Sequence, residues 1–313
     1  MKEWTLEIAD LFAPLGIRKT GQVTMNENTY DFDPQHPKDS WLYASLLGFQ
    51  RLKEEGFTAE RFATIGTGSG LDSIAVHELF HPKTIYQTDI HPNVIALADH
   101  NARSNIGNDT HLETFLGDLC EPLIERGIRV DLLYANLPNV PSNEPVLDKK
   151  VSASRFSARE GGDCPAELQR WLLTLQYLFL QQAKQVLKQN GVVVDAIGAR
   201  IPYARMEEAF TANGYEVTEL ASVYKIQSEP EDALPGYVTA EKEHGIQFDF
   251  YDHERALPYW EQKLSAADLT TPELKEVLQP FHISATKALR MLEQEGKQSG
   301  HICSILKGTL KRS

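Results

Sequence analysis

Gly66-Thr67-Gly68-Ser69-Gly70 follows the apolar run "RFATI" and leads straight into "LDSIAVHELF". Glycines let a backbone turn sharply and come close to a bound molecule, and the free N–H groups of a starting helix face the same space. A dinucleotide fingerprint requires G-x-G-x-x-G, but its third glycine position is Leu71 here, so the spacing is G-x-G-x-G. That loop is wider and suits the amino-acid end of a cofactor better than a pyrophosphate. About 20 residues on, "QTDI" ends a second apolar run with Asp89, where a carboxylate can accept hydrogen bonds from both hydroxyls of a ribose. A third run closes on Gly117-Asp118, beside the place an adenine would take.

The fourth run, "DLLYANLPNVPSNEP", ends on an amide followed by a proline. Pro138 has no N–H for a sheet ladder and pushes Leu137 away from helical geometry, so pairing stops there and Asn136 is held at a strand's carboxyl end. In open α/β sheets that end is where ligands bind. The residues alone thus place an amide where a ligand would meet it and leave open which ligand that is. The competing structural reading makes Asn136 the cap of an Asx-turn before Pro138.

The elements that must position these residues alternate regularly. Strands read from "RFATIG", "KTIYQTDI", "THLETFLGD" and "RVDLLYAN", with helices at "LDSIAVHELF" and "NVIALADHNARSN". A long helix is expected around "LQRWLLTLQYLFLQQAKQVLK", then a strand "GVVVDAIGA" entered through Gly191, a helix "YARMEEAFTANG" ended by Gly214, and a strand "YEVTELASVYKI". This order implies a parallel, doubly wound α/β sheet with helices on both faces. The alternation breaks near Ser228 and resumes at "GHICSILKGTL", so residues 229–299 read as an insertion with a hairpin around "IQFDFYD" and helices near "TPELKEVL" and "SATKALRMLEQEG". The insertion holds 14 Asp/Glu and 7 Lys/Arg, a net of −7 out of −13 for the whole chain. Before the first strand, a helix near "SWLYASLLGFQRLKEEG" is expected to cover the sheet edge or the ligand, and Tyr30, Phe32 and Trp41 could form either a lid or core.

The series "IGTGSG", "TDI", "GD", "NLPN" resembles the class I S-adenosylmethionine-dependent methyltransferases, in the branch whose fourth motif reads N-P-P-Y. The resemblance covers roughly residues 33–200, and "REGGDCPAEL" is similar to the loop that follows that motif in protein-glutamine N-methyltransferases. It implies a Rossmann-like, doubly wound, mostly parallel seven-stranded sheet. Residues 1–58 would form an N-terminal extension, 59–228 the methyltransferase core, 229–299 an inserted cap or substrate segment, and 300–313 the last core strand. It further implies S-adenosyl-L-methionine as cofactor, held by Gly66, Thr67, Gly68, Gly70, Asp89, Ile90, Asp118, Leu119 and Asn136, with Asn136, Leu137 and Pro138 presenting an acceptor nitrogen. Three departures stand out: Thr64 where the family has an acid, Leu137 for the first proline, and Asn139 for the aromatic residue. Glutamine methyltransferases of this branch carry a helical docking domain before the core, for which about 58 residues leave little room. The implied acceptor is therefore a protein or an amino-acid-like small molecule, with an RNA base less favoured.

Other readings compete. His77-Glu78-Leu79-Phe80-His81 matches the H-E-x-x-H zinc signature, yet Pro82 ends the helix at once and no third-ligand spacing follows, so no metal is expected. The stretch from "TPELKEVL" to "GHI" has a winged-helix outline, but a recognition helix needs a basic face and this insertion is acidic. The net charge of −13 disfavours nucleic acid generally. Cys120, Cys164 and Cys303 are too few and too far apart for a disulfide framework, and no apolar run reaches membrane-spanning length, so a cytoplasmic location with reduced thiols is expected.

Overall fold

The computed structural model describes residues 2–26, 29, 36–141, 163–264 and 268–311. Tyr30, Phe32 and the Arg159 to Gly162 part of the expected loop lie outside them. In chain order the elements are β1 (Glu3–Glu7), α1 (Ala9–Phe12), β2 (Gln22–Asn26), α2 (Trp41–Glu54), β3 (Arg61–Ile65), α3 (Leu71–Phe80), β4 (Thr84–Asp89), α4 (Pro92–Asn105), β5 (His111–Leu116) and α5 (Glu121–Glu125). They continue with β6 (Val130–Ala135), α6 (Ala166–Arg170), α7 (Thr174–Ala183), β7 (Leu187–Gly198), α8 (Tyr203–Thr211), β8 (Tyr215–Ile226) and α9 (Pro230–His244). Last come β9 (Phe250–Asp252), α10 (His253–Tyr259), α11 (Thr271–Leu278), β10 (His282–Ile283), α12 (Ala285–Glu295) and β11 (Ser299–Leu310).

The main sheet runs β10-β9-β11-β7-β6-β3-β4-β5, with β8 paired to β11. Its first six chain-ordered strands are those expected, and β3, β4, β5, β6 and β7 pair in parallel. β11 enters between β7 and β8 antiparallel to both, so the expected Rossmann-like α/β sheet of seven strands is present and mostly parallel. It is widened to nine by β9 and β10. Strand order reverses between β3 and β6, whose carboxyl ends lie side by side at Ile65 and Ala135, and a crevice opens at such a switch point.

Apolar side chains cover both faces. Phe179, Leu180, Phe210, Tyr237 and Phe248 pack on one side, and Phe12, Phe49, Ile74 and Leu79 on the other. Ser40 caps α2 by accepting the Leu42 N–H at 3.2 Å, and the helix lies over β8 and β11, covering a sheet face and not an edge. Ser45 on α2 shares a 2.6 Å hydrogen bond with the Tyr134 hydroxyl of β6. The N-terminal segment adds a two-stranded antiparallel sheet, β1 with β2, that the sequence pattern did not disclose. Asn101 of α4 clamps it, accepting from Thr24 N at 2.8 Å and donating to Thr24 O at 2.8 Å and to Ser69 O at 2.9 Å, so one side chain ties this sheet to the glycine loop.

Three expected elements differ. The long helix at 168–188 is broken into α6 and α7, because Leu172 adopts φ 61° and the Leu173 N–H turns back to Leu168 O at 2.9 Å, a left-handed stop of the kind glycine usually supplies. β7 begins at Leu187 instead of Gly191; there a Cβ would stand 2.9 Å from Val130 O, so the glycine permits close strand approach at a register shift with β6. The expected hairpin at "IQFDFYD" is a single short strand, β9, whose partners β10 and β11 are remote in sequence. Residues 229–299 thus extend the main sheet and contribute Tyr237, Phe248, Phe250 and Leu274 to its core. Within them Ala288 of α12 is buried, and α12 packs on α9. No helix among the described residues is long and apolar enough to cross a membrane.

Asp195, in the middle of β7, is 0% exposed and neither carboxylate oxygen has a partner among the described residues. Burial holds its carboxyl well above the usual carboxylate range. The folded chain keeps a proton that the unfolded chain sheds from about pH 4 upward, so stability falls as pH rises from there towards the folded pKa. Asp195→Asn should raise the thermal midpoint by a few degrees at pH 8, with a smaller gain at pH 5; an equal gain at both would contradict this assignment.

Candidate active site

β3 hands over to α3 through Gly66, Gly68 and Gly70, with φ of 65°, 58° and 80°. Those left-handed angles exclude most side chains, but the three glycines face different surroundings. A Cβ on Gly66 would touch Leu137 Cδ2 at 3.0 Å, one on Gly68 would meet nothing within 4 Å, and one on Gly70 would press on Ala98 O at 2.9 Å. Gly70 therefore serves the packing of the loop against α4. Gly68 leaves open space, and its N–H donates to Asp89 Oδ2 at 3.2 Å.

Asp89 ends β4 almost fully buried, with His91 N–H donating to Oδ1 at 3.0 Å. Burial raises its pKa, while these backbone N–H groups pull it back down. Each oxygen keeps a lone pair for a further donor such as a ribose hydroxyl. Ile90 beside it is 37% exposed, a large apolar side chain with a bare face. Across the crevice Leu119 sits at φ 46°, a strained angle for leucine, held as its carbonyl accepts from Thr88 Oγ1 at 3.1 Å.

These residues surround a cleft of about 570 Å³, open to solvent and lined by Gly66, Asp89, Ile90, Asp118, Leu119 and the turn Asn136-Leu137-Pro138. Thr67, Gly68 and Gly70 do not line it: Thr67 is buried with its hydroxyl on Asp72 Oδ1 at 3.2 Å, Gly68 turns its N–H to Asp89, and Gly70 faces α4. Val94 and Leu175, which sequence patterns do not single out, add apolar wall. A cradle open at Gly68, a carboxylate with spare acceptor capacity and an uncovered Ile90 fit an adenosyl cofactor with an amino-acid end.

The acid missing at position 64 is supplied from α3. Thr64 donates to Asp72 Oδ2, and Asp72 also takes the Ser73 N–H at 2.8 Å, while burial raises its pKa to about 6.

The turn after β6 separates this cleft from a second cavity of about 700 Å³, whose wall includes Asn136, Leu137, Pro138, Asn139, Arg200 and Lys225. Asn136 borders both cavities, and its side-chain amide makes no hydrogen bond to any described residue, so it caps no Asx-turn among them. The Leu137 carbonyl, expected to face a ligand, already accepts Gln176 Nε2 at 2.9 Å and keeps one lone pair at most. Asn139 is buried, donates from Nδ2 to Gly198 O at 2.8 Å, and accepts the Tyr237 hydroxyl on its backbone carbonyl at 2.8 Å. It anchors the turn and offers no stacking surface.

The zinc-like histidines are engaged elsewhere. His77 Nδ1 pairs with Thr110 Oγ1 at 3.2 Å, Glu78 accepts Lys19 Nζ at 2.7 Å, and His81 caps α3 at φ 48°. Cys120, Cys164 and Cys303 are buried free thiols.

No family model matches the chain. A release factor glutamine methyltransferase from Dictyoglomus turgidum is 35% identical over 153 residues, 49% of this chain and 49% of that protein. A methionine S-methyltransferase from Zea mays is 23% identical over 257 residues, 75% of this chain and 23% of that protein. The chain therefore spans about half the length of the first relative and under a quarter of the second. Among solved structures, a ribosomal protein L11 methylase from Lactobacillus delbrueckii subsp. bulgaricus superposes with a TM-score of 0.41 at 19% identity, over 62% of this chain and 77% of that one, too loose a likeness to argue from. By sequence the chain is a homologue of methyltransferases, as its motifs implied, and S-adenosylmethionine is the cofactor these relatives indicate.

Three substitutions probe the cleft and the loop behind it. Asp89→Ala should weaken binding of S-adenosylmethionine or S-adenosylhomocysteine by about 1.5–3 kcal/mol in calorimetry, because charge-assisted hydrogen bonds are lost; unchanged affinity would place the ribose elsewhere. Gly70→Ala should lower thermal stability more than Gly68→Ala, since only Gly70 adds a backbone clash to the left-handed strain.

Proposed function

We propose that this protein transfers the methyl group of S-adenosylmethionine to an amide or amine nitrogen of a protein or small molecule. The observation that carries this reading is the Asn136-Leu137-Pro138 turn, which forms the wall common to both cavities and whose Asn136 side-chain amide makes no hydrogen bond to any described residue. In this reading Gly66, Thr67, Gly68, Gly70, Asp89, Ile90, Asp118 and Leu119 build the cofactor side, with Thr67 and Gly70 shaping the loop from behind. When bound, the cofactor supplies an electrophilic methyl on a sulfonium. The chain's own work is to orient the acceptor. The Asn136 carbonyl accepts one acceptor N–H, localises the nitrogen lone pair and stabilises the charge that grows as the new bond forms. With the Leu137 carbonyl partly taken by Gln176, Asn136 carries most of that task. Pro138 and Asn139 keep the amide from swinging away.

A thioether sulfur is the second reading. The methionine S-methyltransferase match covers 75% of this chain, a wider span than the release factor relative's 49%. Sulfur has no N–H to donate, so Asn136 would then be dispensable to the chemistry. We assign the reaction to the cytoplasm, supported by the three buried free thiols. A nucleic-acid acceptor is less favoured at a net charge of −13.

The test is transfer from labelled cofactor, with mass spectrometry locating the methyl group. For nitrogen, Asn136→Ala should lower turnover about 10²–10³-fold with little change in cofactor affinity, by analogy with removal of one oxyanion-hole donor. Asn136→Asp should keep partial activity, because a carboxylate still accepts the hydrogen bond. A methyl group found on sulfur, with near-full turnover in Asn136→Ala, would select the second reading.

A further inference from the structure

The second cavity has a charge pattern that nitrogen presentation does not require. Arg200 follows the end of β7 and is 5% exposed; Lys225, near the end of β8, is 4% exposed. Both line the cavity. Arg200 donates through Nε and Nη2 to Gln227 Oε1 at 2.9 and 2.7 Å and through Nη1 to Asn139 Oδ1 at 3.5 Å, all neutral acceptors, and lies 5.4 Å from the centroid of the Tyr237 ring and 5.9 Å from that of Phe250. Lys225 donates to Ile226 O at 2.9 Å and Ser228 Oγ at 3.1 Å, two neutral acceptors for three N–H groups. Neither cation forms an ion pair with a carboxylate among the described residues. The sole acidic side chain lining the cavity, Glu229, is partly exposed. His301, also on the wall, is fully buried and held neutral by burial and by the two cations. Burial, with Arg200 nearby, lowers Lys225 to about 8 against the opposing influence of Cys303 and of the more distant Asp39 carboxylate, so it stays largely protonated at neutral pH at an energetic cost.

Buried cations without a counter-charge are costly, and proteins keep them where something anionic arrives. The Trp41 indole N–H on the same cavity has no acceptor among the described residues. Beside these donors stand the apolar Leu137, Val140 and Ala233.

We infer that Lys225 and Arg200 bind the carboxylate of a free amino acid, which is the methyl acceptor of this site. This rests on the methyltransferase reading above and narrows its acceptor to a small molecule. The carboxylate suits the Lys225 ammonium together with the remaining Nη N–H groups of Arg200, whose Nε–Nη2 edge holds Gln227, and the apolar wall accepts a side chain that reaches towards Asn136. An internal residue of a protein has no α-carboxylate to offer.

Calorimetry of the full chain saturated with S-adenosylhomocysteine decides the matter, using pools of the twenty common amino acids, then the carboxamide of any that binds, with inorganic phosphate as a second anion. At least one amino acid should bind, its carboxamide at least tenfold more weakly. Lys225→Met should erase most of that difference while leaving S-adenosylhomocysteine affinity unchanged, a control that also reports folding. Should that variant not fold, the acid-to-carboxamide comparison on the unaltered chain still decides. Binding of S-adenosylhomocysteine with no amino acid bound, equal binding of acid and carboxamide, or binding of phosphate alone would each overturn the carboxylate assignment and leave the methyltransferase reading standing. Failure of S-adenosylhomocysteine itself to bind would instead remove the methyltransferase reading.

Discussion

The structure depends on how firmly the turn from Asn136 to Asn139 is pinned. Three hydrogen bonds tie it to three elements: Gln176 of α7 holds the Leu137 carbonyl, Gly198 of β7 takes the Asn139 amide, and Tyr237 of α9 donates to the Asn139 carbonyl. Each is worth about 0.5–1.5 kcal/mol net, but breaking one strands a buried polar group at about 1–3 kcal/mol, so the turn yields only if several partners move together. Leu137 adds a buried side chain against Gly66. Pinned this way, the turn fixes one wall for two cavities at once.

The same bonds explain why residues 229–299 belong to the site. Tyr237 lies 98 residues beyond Asn139, yet its hydroxyl holds the turn and its ring lies against Arg200. Phe250 of β9 adds a second ring near the guanidinium. The segment thus reaches the second cavity from behind, through the core. Asn139 fits this arrangement where an aromatic residue would not, since both its side-chain amide and its backbone carbonyl are used to join elements.

Much of this was legible from residue order. The seven core strands follow from apolar runs separated by helical periodicity, and the glycine loop, Asp89 and Asn136 each fall at a strand's carboxyl end, as parallel sheets require. What stayed hidden needed three dimensions. Leu172 gives no composition cue that it will turn left-handed and break a helix. Thr64 reads as a lost acid until the fold brings Asp72 onto it from the next helix. Arg200, Lys225 and His301 come from three strands, and only the antiparallel entry of β11 between β7 and β8 gathers them at one sheet edge. Lys225 within "SVYKIQ" was the available clue, a lysine among apolar residues at the buried end of β8.

The most direct measurement is a crystal structure of the protein with S-adenosylhomocysteine. If the turn divides a cofactor cleft from an acceptor cavity, the ribose will bond to Asp89, the adenine will cover Ile90, and the sulfur will lie by Asn136 with the cavity around Arg200 and Lys225 unfilled. A ligand seated among Arg200, Lys225 and His301, or one that leaves Asp89 untouched, would contradict that division.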